Sequence, residues 1–173
     1  MLIKGRVWKF GDNIDTDLMM PQDTFRLPMK ERANAVFRVN RPGWVKKVKR
    51  GDVLVAGKNF GVGSSRPAAR SLKFLGIEAI IAESVNSLFF RNCINYGLLA
   101  LNLPCALNYF QEGDLVEIDP HGGTIKNMNT ESSFNAEPFP EMLIRIVEAG
   151  GMIELLQKEG YLASEAYEKE QGR

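Results

Sequence analysis

Cysteine and histidine are scarce in this chain, with two and one respectively in 173 residues, and that removes several chemistries at once. Cys93 and Cys105 have neither the C-x-x-C spacing of a redox motif nor the repeated pairs of a zinc site, so two buried thiols in a reducing compartment are expected. Two thiols also fall short of the three or four thiolates that usually hold an iron–sulfur cluster, so any cluster must be supplied from outside the chain. The single histidine, His121, falls in the turn-like run Pro120-His121-Gly122-Gly123 and is expected to be exposed, which leaves a Ser-His-Asp mechanism without support.

Excess charge is missing too. Lys+Arg 22 against Asp+Glu 21 leaves a net charge of +1, so no global field draws in nucleic acid or an anionic membrane. The expected partner is a small molecule or another protein. The N-terminal run meets charge at Lys4 and never develops the apolar stretch of a signal peptide, and no segment is long enough to span a bilayer, so a soluble, cytoplasmic protein is expected. No internal repeat, low-complexity segment or interdomain linker interrupts the chain. Its 45% hydrophobic content suffices for one packed domain.

What is present reads as α/β. Leu2 to Trp8 forms a first strand that stops at the turn signal Gly11-Asp12-Asn13. Ile14 to Pro28 has no clean period and reads as a long ordered loop, and Ala33 to Val39 is a weak helix candidate. Asp52 to Gly57 is a buried strand. Ala68, Leu72 and Leu75 then recur at helical spacing until Gly76, and Ala79 to Ala82 is a second strand, which together predict a βαβ unit. Asn86 to Asn95 is another helix, and Leu98 to Leu101 another strand. Strands around Leu115–Ile118 and Thr124–Lys126 suggest a β-meander. Helices are expected over 138–149 and 152–158, with a frayed tail at 164–173.

The sharpest feature is Gly61-Val62-Gly63-Ser64-Ser65-Arg66, placed between a strand and a helix. Glycines let backbone approach a ligand, and a helix start directs free N–H groups and a positive dipole end toward an anion or developing alkoxide above Ser64. A purely structural alternative has Ser64 or Ser65 capping the helix. The spelling excludes a dinucleotide fingerprint, a P-loop and a serine-hydrolase elbow. The second feature is Gly11-Asp12-Asn13-Ile14-Asp15-Thr16-Asp17. Its acids lack the glycine and distal glutamate of a calcium loop, so capping and turn hydrogen bonds explain them more simply, and no metal site is expected. Arg26, further along the same loop, is by default a solvated charge.

In this order, the segments Gly11–Asp17 and Asn59–Arg66 closely resemble the small subunits of 3-isopropylmalate dehydratases and the swivelling domain of aconitase. The resemblance extends through Gly76–Ala82, Phe90-Arg91-Asn92, Gly97-Leu98, Gly113-Asp114 and Gly150-Gly151. It implies a β/β/α swivelling domain, here a single one over residues 1–163, and a separate large subunit that carries a [4Fe–4S] cluster, in a heterodimer or heterotetramer. It implies a hydro-lyase acting on a small dicarboxylate or tricarboxylate, such as a substituted malate in leucine biosynthesis. Carried over by position, Ser64 is the catalytic base, and Ser65, Arg66 and Arg26 bind substrate. Asp17, Thr16, Gly61 and Gly63 support them.

Three departures qualify the match. Relatives in archaea carry Tyr-Leu-Arg-Thr where this chain has Thr24-Phe25-Arg26-Leu27. The usual Glu-His or Glu-Gln after the arginine is Pro67-Ala68, and Glu83 and Ser87 stand where lysine and arginine are common. These leave open a homoaconitase or a 2,3-dimethylmalate dehydratase. A non-catalytic binding or regulatory domain that retains the scaffold is the reading from a different class.

Overall fold

Burial along the strands sets the architecture. From one edge to the other, a seven-stranded sheet runs β4 (Leu99–Asn102), β3 (Ala79–Ala82), β2 (Val53–Ala56), β1 (Ile3–Lys9), β5 (Leu115–Asp119), β6 (Thr124–Asn127) and β7 (Ser133–Asn135). Every residue of β2 and β3 is buried. Val53 and Val55 join one apolar cluster while Leu54 and Ala56 join the other, because successive side chains point to opposite faces and both faces are covered. The computed structural model describes residues 1–63 and 66–163; Ser64, Ser65 and the tail at 164–173 lie outside the described residues.

Strand β1 joins two styles of pairing. Val7–Lys9 run parallel to Val53–Val55, and Ile3–Arg6 run antiparallel to 118–115 of β5. Gly5 permits this crossing: a Cβ there would sit 2.0 Å from the Gly51 carbonyl oxygen. Parallel β2 and β3 flank α3 (Ala68–Phe74), which is the expected βαβ unit. Helix α4 (Ser87–Asn95) starts at Asn86, whose side chain accepts from Leu88 N at 3.1 Å.

Several expectations shift. The stretch read as a loop holds α1 (Thr16–Met19), capped by Asp15 accepting from Leu18 N at 2.7 Å, and a 3-10 turn over Gln22–Thr24. These single turns are too short to show a period. The helix expected over 33–39 is instead α2 (Met29–Asn34), starting just after Pro28. The chain then turns through Phe37, held at φ 55 because its ring packs 4.4 Å from Phe10 and 5.1 Å from Trp44. A short α5 (Ala106–Tyr109) and the third meander strand β7 were not foreseen. Pro140, rather than Pro138, precedes α6 (Glu141–Ala149), and α7 (Met152–Lys158) follows the Gly150-Gly151 break. Cys93 is buried as expected, but Cys105 is exposed at φ 58 on the connection after β4. No helix among the described residues is long and apolar enough to cross a membrane.

Candidate functional site

The parallel arrangement brings the carboxyl ends of β1, β2 and β3 to one edge of the sheet, and both sequence motifs begin there. Past the strands the pairing continues through the loops: Gly57 N donates to Gly11 O at 3.2 Å, Asn13 N to Lys58 O at 2.8 Å, Gly61 N to Ile14 O at 2.7 Å and Thr16 N to Val62 O at 2.9 Å. The segment after β3 braces the other side, where Phe60 N donates to Ser84 O at 2.9 Å. Backbone hydrogen bonds therefore hold the two motifs side by side.

Within this frame Gly61 has φ +82, and a Cβ there would lie 2.2 Å from the Phe89 ring, so only glycine fits. Gly63, at φ +86, sits over the buried hydroxyl of Thr16, which has no hydrogen-bond partner among the described residues. Asp17 and Arg66 meet across the motifs, with the Arg66 Nε donating to Asp17 Oδ1. Arg66 is mostly buried (14% exposed) and Asp17 mostly open (63%). Because Asp17 takes the Nε, the two terminal nitrogens of Arg66 make no hydrogen bond to any described residue and remain available for a carboxylate.

Arg66 and Arg26 line the same cleft of 540 Å³, together with Gln22, Asp23 and Phe25. Arg26 is exposed, and its guanidinium pairs with no other described residue. Asp23 is engaged by Arg38, whose hydrogen bond holds its carboxyl below the usual range. The cleft therefore presents two cations, and both nearby acids are already engaged, which suits a ligand with more than one carboxylate. The sequence motifs single out Arg26, Arg66 and Phe25 but not Gln22, Asp23 or the Arg38 and Phe89 supports, which no local pattern signals.

Helix α3 starts at Ala68, with Pro67 at its N-cap and no side-chain cap, and Ala68 N bonds back to Arg66 O at 2.8 Å. The free N–H groups of this seven-residue helix begin beyond Arg66. The placement of Ser64 and Ser65 themselves lies outside the described residues.

The acids serve separate ends. Asp12 Oδ1 accepts from Lys58 N at 2.8 Å, Asp15 caps α1 and Asp17 pairs with Arg66. The described residues contain no group of three or more His, Cys, Asp or Glu placed to hold a metal ion. Burial pushes the Cys93 thiol well above its ordinary pKa, against the thiolate a cluster would need, and Cys105 is exposed. An iron–sulfur cluster does not fit these two cysteines.

Residues 22–106 match the aconitase C-terminal domain family. A 3-isopropylmalate dehydratase small subunit 1 from Thermotoga maritima is 42% identical over 162 residues, covering 92% of this chain and 97% of that protein. This chain belongs to the 3-isopropylmalate dehydratase small-subunit family. A methanogen homoaconitase small subunit from Methanothermobacter thermautotrophicus is also 42% identical, over 88% of this chain and 89% of that one, so identity alone does not choose among substrates within the family. A crystal structure of 3-isopropylmalate dehydratase from Methanocaldococcus jannaschii superimposes with a TM-score of 0.84 at 36% identity, covering 99% of each chain. The mixed sheet with its βαβ unit is the aconitase-type swivelling fold that the motifs implied.

Proposed function

We propose that this chain is the small subunit of a hydro-lyase that dehydrates and rehydrates a substituted malate, interconverting 2-isopropylmalate and 3-isopropylmalate in leucine biosynthesis. It acts with a separate large subunit that carries a [4Fe–4S] cluster, in the cytoplasm, with residues 1–163 moving as the swivelling unit. The observation that carries the reading is the Arg66–Asp17 pair beside Arg26 in one cleft, next to the serine motif.

The chain's own residues supply binding and proton transfer. The free end of the Arg66 guanidinium takes one substrate carboxylate through two parallel hydrogen bonds, and Asp17, by accepting from Nε, fixes the plane of that fork. Ser64 removes the proton from the carbon beside the carboxylate. The C–H electron pair forms the double bond as hydroxide leaves the neighbouring carbon, and the reverse steps rehydrate the alkene at the other position. Ser65 contacts substrate. A serine alkoxide is unstable in water, so this role calls for nearby positive charge, and the cleft carries two guanidiniums. Thr16, Gly61 and Gly63 hold the loop that presents it.

Phe25 is 52% exposed within the cleft, which favours an alkyl side chain on the substrate over the carboxyalkyl chain of a homoaconitase substrate. The test is reconstitution. The purified chain alone should be colourless and inactive, and ultraviolet absorbance of the unsaturated acid should appear only on mixing with a cluster-loaded large subunit. Brown colour and dehydratase activity from this polypeptide alone would refute the division of labour. Assembly with the partner but no turnover of any malate would point to a non-catalytic binding module instead.

A further inference from the structure

The two motifs are also joined by a pair of side chains that the chemistry above does not use. Asn13 and Asn59 both hold left-handed backbone, at φ 56 and φ 58, which asparagine tolerates better than most residues. Asn59 Nδ2 donates to Asn13 Oδ1 at 2.9 Å across the junction, and Asn59 N donates to Ser84 Oγ at 2.8 Å. Both asparagines are exposed, so burial does not hold them in place. Their contact lies immediately before the Gly61–Ile14 and Thr16–Val62 backbone bonds, which set how Asp17 faces the segment ending at Arg66. A left-handed turn explains an asparagine at each position. It does not explain why the two amides face one another across separate loops.

We propose that the Asn13–Asn59 amide pair is a latch that fixes the register between the acidic turn and the glycine–serine loop, which makes both asparagines positioning residues for Arg66 and Ser64. The inference rests on the hydro-lyase reading for its kinetic consequence but not for its structural one. Aspartate also tolerates left-handed backbone, and a single aspartate leaves one amide able to donate to a carboxylate. Two aspartates face each other as like charges with no donor between them. Asn13→Asp and Asn59→Asp should therefore each behave like the wild type. The double variant should lose about tenfold in kcat with little change in KM, in strong excess of the sum of the singles. Added salt should restore part of that loss, because the charges are exposed.

Two measurements separate this idea from the functional reading. Kinetics use the chain reconstituted with its large subunit, and amide hydrogen exchange uses the free chain. The Thr16 and Gly61 N–H groups should exchange about tenfold faster in the double variant and no faster in either single one. If a wild-type pair turns over no malate, the hydro-lyase reading fails and exchange alone judges the latch. Additive exchange effects, or a double variant that exchanges like the wild type, overturn the latch. Coupled exchange with unchanged kcat overturns the positioning role.

Discussion

Gly61→Ala tests whether the glycine loop is held as tightly as its geometry requires. The new methyl group would sit 2.2, 2.4 and 2.5 Å from Phe89 Cγ, Cδ1 and Cβ, inside any permitted contact. Phe89 cannot simply yield, being fully buried and packed edge-on against Phe60 at 5.8 Å. Overpacking of this kind costs about 1–3 kcal/mol. Forcing an L residue to φ +82 adds roughly 1–2 kcal/mol. The expected total is about 2–5 kcal/mol, or a fall in Tm of about 4–20 °C. Gly113→Ala isolates the backbone contribution, since Gly113 has φ +94 but nothing within 4 Å of the place its new methyl group would take, and it should lose only about 1–2 kcal/mol. Urea denaturation of both variants gives the difference directly, and Phe89→Leu in the Gly61→Ala background should recover part of it. The reasoning fails if Gly61→Ala is no less stable than Gly113→Ala.

Ser64→Ala should leave folding and assembly with the large subunit intact while lowering kcat by about 10²–10⁴-fold, and near-normal turnover would rule the serine out as the base. Replacing Arg26 by Lys or Val should change the ratio of kcat/KM between alkyl and carboxyalkyl malates by about 10–100-fold. Equal losses for every substrate would instead place Arg26 on the shared malate core, and no loss would leave it a surface charge. A thiol reagent should label Cys105 quickly and Cys93 only on unfolding, and rapid labelling of two thiols in the native protein would contradict the buried site. Because burial raises the Cys93 pKa in the folded state, the unfolded chain binds fewer protons as pH rises past the ordinary thiol value. Its contribution to stability is therefore full below that value and declines above it, and Cys93→Ala should flatten the alkaline slope of the urea midpoint.

The parallel half of the fold was legible because Val53–Ala56 and Ala79–Ala82 are short, fully apolar runs bounded by turn residues, and Gly76 stops the intervening helix. What stayed hidden depends on long-range contact. The single turn of α1 is fixed by the Asp15 cap and by burial of Met19, and the left-handed Phe37 by its aromatic neighbours, neither of which leaves a periodic trace. The site divides the same way. Asp17 and Arg66 stood out individually, but their ion pair spans two loops that only strand pairing brings together. Pro67 takes the N-cap position of α3, so the helix begins at Ala68, downstream of the glycine–serine loop.

The divided pairing of β1 imposes an order on synthesis. Its parallel partner β2 and the βαβ unit emerge from the ribosome well before β5, whose Ile118 must return to Ile3 near the start of the chain. Closing so long a loop is slow and entropically costly compared with the local pairing of β2, β3 and β4. A nascent chain that ends at Asn102 thus has every strand of the parallel half and both site motifs, yet the Ile3–Arg6 edge of β1 stays bare. An unpaired edge is a template for pairing with another chain, so a chain truncated at Asn102 is expected to aggregate more readily than one that extends past Asp119 and can pair β5 with β1.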